Sequence, residues 1–160
     1  MNYEMLLTKA DSHGLVVKEK DLLAYDGRIK GNRIAIRKTI DTQAEKSCVL
    51  SEELGHYYTS SGDILDQTDV MNQKQEYRAR LYGYNLRIGL MGIIQAFKAD
   101  CRNLYEMAEY LEVTEEYLKE AIECYRSKYG EYVKIDNYMI YFIPDLAVLK
   151  INDESRGIKT

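Results

Sequence analysis

The sequence SCVLSEELGHYYTS at Ser47–Ser60 combines an apolar helix pattern with closely spaced acidic and histidine side chains. We predict a helix over Thr42–Thr59, and its buried side is formed by Cys48, Leu50, Leu54 and Tyr57. Side chains four residues apart on a helix project from the same face. Glu52 and His56 are therefore expected to be neighbours at the edge of the core.

The five residues Glu52–His56, EELGH, match the metal-binding helix pattern HExxH except at its first position. In that pattern the two histidines bind the metal, and the glutamate after the first histidine is the general base. Here His56 occupies the second ligand position and Glu53 the base position, while Glu52 replaces the first histidine. Because zinc accepts carboxylate oxygen as well as imidazole nitrogen, Glu52 is a candidate ligand.

A third ligand has to come from another part of the chain. Glu76 lies 20 residues after His56, in a predicted helix over Lys74–Ile88. Glu52, His56 and Glu76 together form a chemically reasonable ligand set that leaves a fourth position open for water.

The glutamate in place of a histidine changes the charge expected at this site. Two carboxylates neutralise a divalent ion, whereas two histidines and one glutamate leave the centre positive. A less positive centre acidifies bound water less and shifts the preference towards metals that favour oxygen ligands. We therefore expect zinc, with manganese or ferrous iron as alternatives.

The whole chain has the composition of one globular domain. Its 160 residues are predicted to form a single domain, residues 1–160, and its net charge is −4 with a pI of about 5.3. This acidity argues against nucleic acid as the main partner, since phosphate binding needs clustered positive charge. The three cysteines do not form a disulfide framework, and no membrane span or leader is visible, so we expect a cytoplasmic protein.

The remaining pattern predicts an α+β fold that is mainly helical. Its predicted parts are a helix over Asn2–Ser12, a strand at Leu15–Val17, a hairpin of Arg28–Lys30 with Arg33–Arg37, a loop over Ser60–Asn72, a helix over Leu90–Cys101, a helix pair within 102–130, strands within Tyr132–Lys150 and a frayed tail from Asn152 to Thr160.

The helix pair within 102–130 resembles a helix-turn-helix, with a break near Glu112–Thr114. Its second helix, Thr114–Lys128, carries more acidic than basic side chains. A helix that reads DNA needs base- and phosphate-contacting residues. We interpret the pair as a packing or partner-binding element and keep DNA binding as the weakest alternative.

The longer stretch SCVLSEELGHYYTSSGDILDQTDVMNQKQEYRARLYGY, residues 47–84, resembles the ImmA/IrrE family of metallopeptidases. It is most similar to the short members that phages and integrative elements carry. RIAIR, LYEMAEYLEVTEEYLKEAIECYRSKYG and the tyrosine-rich end also resemble that group. The departure is Glu52 in place of the usual histidine.

This resemblance implies a zincin-like domain with a small sheet packed by the active-site helix. It implies zinc bound by Glu52, His56 and Glu76, with Glu53 as the catalytic acid and base. It also implies a protein substrate, namely a helix-turn-helix repressor encoded nearby, whose cleavage relieves repression of the mobile element.

Two questions stay open at this stage. The chain is either an active endopeptidase or a weak or inactive peptidase-like module that binds and sequesters the repressor. The donor that stabilises the oxyanion is also unassigned, and the candidates are Tyr57, Tyr58, Tyr82 and Arg80.

Overall fold

The computed structural model describes residues 1–60 and 69–151. Two small three-stranded sheets flank a mainly helical body, which confirms the predicted α+β class. The elements in chain order are α1 (Tyr3–Ser12), β1 (Val16–Lys20), β2 (Gly27–Lys30), β3 (Arg33–Arg37), α2 (Gln43–Thr59), α3 (Asp69–Arg87), α4 (Gly89–Lys98), α5 (Leu104–Leu111), α6 (Glu115–Tyr129), β4 (Tyr132–Ile135), β5 (Tyr138–Tyr141) and β6 (Ala147–Lys150).

The first sheet has the strand order β1-β3-β2. The predicted hairpin is present, because β2 pairs antiparallel with β3 and Ile29 lies opposite Ile34. β1 pairs with the other side of β3 in parallel. Ile34 and Ile36 of β3 are fully or almost fully buried against apolar side chains of α1 and α2. One layer of the core therefore joins this sheet to α2.

A second core lies on the other side of α2. It joins α3, α4, α5 and α6 to the second sheet, an antiparallel meander of order β4-β5-β6. Tyr125 of α6, Ile140 of β5 and Phe142 are among its most deeply buried side chains. Because Cys48 belongs to this core while Leu50 and Leu54 belong to the first, α2 is the element that both cores share.

Side-chain caps fix where several helices begin. The Thr42 hydroxyl accepts a hydrogen bond from the Glu45 backbone N–H at 3.1 Å, and this cap starts α2. Thr114 caps α6 in the same way, through the Tyr117 backbone N–H at 3.1 Å. The break between α5 and α6 falls at Glu112, which adopts a left-handed conformation. The predicted helix pair is therefore confirmed.

The closest contact between helices joins α2 and α3. Gly55 packs directly on the carbonyl oxygen of Ala79, and a Cβ at Gly55 would overlap that atom. One turn away, a Cβ at Gly83 would meet the Ser51 carbonyl oxygen at 3.0 Å. As residue numbers rise along α2, their partners on α3 fall, so the two helices run antiparallel. Small residues thus let the two backbones approach closely.

Several sequence predictions were wrong at their boundaries. The helix predicted to run to Cys101 ends at Lys98. α3 begins at Asp69, inside the predicted loop Ser60–Asn72. Its first turn is solvated, with Val70 and Met71 exposed. The sequence of this turn therefore shows no helical spacing of apolar residues. β1 extends to Lys20, beyond the predicted strand, because an exposed edge strand tolerates polar residues. The rest of that loop, residues 61–68, and the predicted tail, residues 152–160, lie outside the described residues.

A substitution of Gly55 tests the importance of the close contact. We expect Gly55→Ala to lower the free energy of unfolding by about 2–3 kcal/mol, because the added methyl forces α2 and α3 apart. Gly92→Ala in α4 is the matched control, since its Cβ would meet only side-chain atoms, of Leu111 at 3.4 Å and of Ile88 at 3.6 Å. We expect this control to be neutral or stabilising, since alanine favours helix. Urea unfolding measures both, and an equal effect of the two would contradict the prediction.

Candidate metal site

The three predicted ligands converge at the α2–α3 contact. Glu52 and His56 project from the same side of α2, and Glu76 approaches them from α3. One donor atom from each of the three lies within 4.8 Å of the other two. Within this group, His56 Nε2 lies 3.8 Å from Glu76 Oε2. The structure thus brings together side chains that lie far apart along the chain.

The chemistry of this donor set suits a divalent metal. Two carboxylates and one imidazole are ordinary ligands for zinc, and nitrogen or oxygen ligands of one tetrahedral zinc stand about 3.4 Å apart. The separation of 3.8 Å between His56 and Glu76 is close to that spacing. The carboxylates of Glu52 and Glu76 are about half exposed, so small rotations are free to complete the geometry. Among the residues described, no other group of three His, Cys, Asp or Glu side chains brings its donor atoms within 4.8 Å of one another.

The candidate base, Glu53, has surroundings unlike those of the ligands. Its side chain is largely withdrawn from solvent, since the residue is only 9% exposed. Gly27, the first residue of β2, packs against it, because a Cβ at Gly27 would come within 2.9 Å of Glu53 Oε1. The glycine therefore permits the strand to lie directly on the carboxyl group and limits its freedom to rotate.

Burial changes the acid–base behaviour of Glu53. Desolvation is the largest cause that raises its pKa, to about 7, and the nearby negative charges of Glu52 and Glu76 add to the effect. A cation held by the two neighbouring carboxylates opposes this rise, since it favours the ionised form. Glu53 is thus a carboxyl group whose charge depends on what occupies the site.

An open cleft of about 620 Å³ borders these four residues. One wall belongs to β2 and to the turn before it, and its residues are Tyr25, Asp26, Gly27, Arg28 and Ile29. Arg37 of β3 holds this turn, because it forms an ion pair with Asp26 at 3.3 Å and donates a hydrogen bond to the Tyr25 carbonyl oxygen. The cleft is therefore built from three elements that the sequence separates.

The sequence analysis missed the role of this wall. The dipeptide Asp26-Gly27 is a turn signal in the sequence, and nothing in its pattern indicates that α2 lies beside it. A glycine at the start of a strand signals that another group approaches closely. That signal does not identify Glu53 as the group.

The other residues singled out from the sequence lie elsewhere. Tyr57, Tyr58 and Tyr82 form an aromatic cluster, with ring centroids 5.1 and 5.2 Å from that of Tyr58, and none of them lines the cleft. Cys48 is buried in the second core, as expected for a packing residue. Of the candidates named for the oxyanion, Arg80 forms an ion pair with a predicted ligand, since its Nε lies 4.0 Å from Glu52 Oε1.

A slightly larger cavity, of about 680 Å³, lies away from this site. It is bounded by the end of α4, by α5 and α6, and by the segment from Phe142 to Val148. Its lining is mostly apolar and includes none of the predicted ligands. Cavity volume therefore does not identify the candidate metal site, whereas the convergence of titratable side chains does.

A helix that carries two ligands four residues apart, with a third on the next helix and a buried glutamate beside them, is typical of metallopeptidases. Comparison with protein families agrees with this geometry. The chain belongs to the peptidase family described as IrrE N-terminal-like domain, whose model matches residues 10–123. This match confirms the family to which the sequence was likened, and the matched segment contains all four site residues.

Searches among curated proteins and among solved structures found no match. Within residues 1–60 and 69–151, no helix is both long and apolar enough to cross a membrane.

The pKa of Glu53 predicts how the metal-free protein responds to pH. Its folded pKa of about 7 exceeds the usual 4.5, so stability falls as the pH rises from about 4.5 through 7. Glu53→Gln removes this loss. In the presence of a chelator, we expect the free energy of unfolding of the variant to exceed that of the parent by about 2–3 kcal/mol at pH 8. At pH 5 we expect a much smaller difference. Urea titrations at the two pH values measure the change.

Glu131→Gln is the control for that comparison, since Glu131 is exposed and lies outside the cleft. It should change the pH dependence of stability little. A Glu53→Gln variant with the same pH dependence as the parent would show that Glu53 is ionised at no cost in the folded protein.

Proposed function

We propose that this protein is a metal-dependent endopeptidase. Glu52, His56 and Glu76 hold the metal, and Glu53 is the general base. The observation that carries the proposal is the convergence of the three donors of α2 and α3 at an open cleft, with Glu53 buried in its wall. Zinc is the proposed metal, and the two carboxylates leave manganese and ferrous iron as alternatives.

The metal and Glu53 have different roles in the proposed hydrolysis. When bound, the metal supplies a Lewis acid at the scissile carbonyl. Glu53 takes a proton from the attacking water and passes it to the leaving amine. The contact with Gly27 keeps the Glu53 carboxyl group turned towards the cleft, and so it is positioned before substrate arrives.

The shape of the cleft favours a polypeptide substrate. β2 pairs with β3 on one side only, so among the described strands its second edge is free, and Gly27, Arg28 and Ile29 line the cleft. An extended peptide adds to such an edge through backbone hydrogen bonds. Its scissile bond then lies beside the Glu53 carboxyl group, which Gly27 contacts.

The proposed substrate is a helix-turn-helix repressor of the phage or mobile element that carries this gene, and the proposed compartment is the cytoplasm. Membership of the peptidase family, together with the phage-type sequence around EELGH, supports this choice. Cleavage would remove the repressor and switch on the genes that it controls. Direct contact of this protein with nucleic acid is not part of the proposal.

A second candidate function is sequestration of the repressor without cleavage. The observation in its favour is the ion pair between Glu52 and Arg80, in which a cation of the chain already contacts a predicted ligand. If that pair excludes the metal, the cleft still binds an extended peptide but does not hydrolyse it.

Incubation of the proposed repressor substrate with the purified protein separates the two functions. We expect cleavage by the parent and at least 100-fold slower cleavage by Glu53→Gln, since loss of a general base typically costs this much. Glu45→Gln, an exposed acid on the same helix, should cleave at the parental rate. Mass spectrometry of the products measures the rates.

Metal analysis of the same variants completes the test. Glu53→Gln should retain its metal, whereas His56→Ala should lose it. A stable complex that is never cleaved, and that Glu53→Gln leaves unchanged, would support sequestration instead. Absence of metal in the parent protein, even after zinc is added, would refute the metallopeptidase proposal.

A further inference from the structure

Arg80 occupies a defined position beside the candidate metal site. Its Nε lies 4.0 Å from Glu52 Oε1, and both side chains are about half exposed. Arg80 is four residues after Glu76 on α3, and Glu52 is four residues before His56 on α2. The antiparallel helices therefore place Arg80 opposite Glu52 in the same way as they place Glu76 opposite His56.

The close packing of the two helices fixes this pairing. Gly55 on the Ala79 carbonyl group, and Gly83 on that of Ser51, set both the register and the distance between α2 and α3. A slide of one helix by a single turn would break both pairs at once. The contact of Arg80 with Glu52 is thus a consequence of the same packing that assembles the ligands.

A competing carboxylate near Arg80 is already engaged. Glu120 of α6 lines a small cavity of about 200 Å³ together with Arg80, Glu52 and Tyr84. Its Oε2 accepts a hydrogen bond from the Tyr84 hydroxyl at 3.2 Å. Within residues 1–60 and 69–151, the carboxylate found within ion-pair distance of Arg80 is that of Glu52.

The charges at the site then have a simple balance. A divalent ion with Glu52 and Glu76 as carboxylate ligands has no net charge, whereas two histidines and one glutamate leave it one positive charge. Arginine stays protonated under all physiological conditions. Adding the Arg80 guanidinium to the group restores one positive charge.

We propose that Arg80 is a positioning residue that compensates the negative charge of Glu52. Through this ion pair the EELGH site keeps the net charge of a site with two histidines and one glutamate. The inference rests on the metal site proposed above. It assigns to Arg80 a role that neither the HExxH pattern nor the geometry of the three donors includes.

The two roles that Arg80 can have predict opposite changes in metal affinity. If it only supported the fold, its removal would leave metal binding unchanged or weaken it. If it supplies a compensating charge, its removal takes a cation away from the bound ion and makes Glu52 a stronger ligand. We therefore expect Arg80→Gln to bind zinc about three- to tenfold more tightly than the parent.

The test measures zinc affinity by competition with a chromophoric chelator, in the full chain. Arg80→Lys keeps the charge and should stay within twofold of the parent. Arg78→Gln is the matched control, because Arg78 is an exposed arginine on the same helix that does not line the cleft. It should also stay within twofold. Unfolding of the metal-free variants checks that Arg80→Gln folds, since an exposed ion pair adds little stability.

A second background shows whether the effect depends on Glu52. In Glu52→His the partner carboxylate is gone and the half-exposed Arg80 is free to turn to solvent. Adding Arg80→Gln to this variant should therefore change zinc affinity by less than twofold. Unchanged or weaker binding by Arg80→Gln in the parent chain would overturn the proposal. An equal gain in affinity in both backgrounds would overturn it as well.

The outcomes also separate this inference from the proposed function. If the parent protein binds zinc with an affinity that Arg80 does not influence, only the role of Arg80 is refuted. If the parent binds neither zinc, manganese nor ferrous iron, the metal site itself is refuted, and the role of Arg80 with it.

Discussion

The contact of Gly55 on the backbone of Ala79 is the constraint on which the rest of this structure depends. It brings two antiparallel helices so close that side chains on facing turns meet in pairs. His56 meets Glu76, and Glu52 meets Arg80. The candidate ligands Glu52 and His56 on α2 would remain an incomplete set without it. The same packing also lets α2 be shared by both apolar cores.

The second constraint is the approach of β2 to α2. Because Gly27 lacks a side chain, the strand lies on Glu53 and removes most of this carboxyl group from water. Burial next to two acidic neighbours raises its pKa and makes the metal-free site electrostatically unfavourable. A cation would resolve this conflict, and a perturbed pKa of this kind is typical of functional sites. The neighbouring candidate ligands Glu52 and Glu76 are about half exposed and free to adjust.

Much of the fold was visible in the sequence because it depends on local spacing. The limits of α2, the hairpin of β2 and β3, and the break between α5 and α6 follow from apolar periodicity, turn residues and caps such as Thr42. The start of α3 was missed, because its first turn is solvated and carries no apolar period. The parallel pairing of β1 with β3 was not foreseen, since register between separate strands depends on contacts distant in sequence.

The sequence by itself determined which side chains are candidates for a metal site. EELGH on an amphipathic helix places Glu52 and His56 on one face, since helical spacing is a local property of the backbone. Only the tertiary structure decided that Glu76 and Arg80 face them and that Glu53 is buried. These arrangements depend on how closely α3 and β2 pack against α2. The close approach is possible because Gly55 and Gly27 have no side chains. A glycine in a sequence permits close packing but does not show which residue will pack against it.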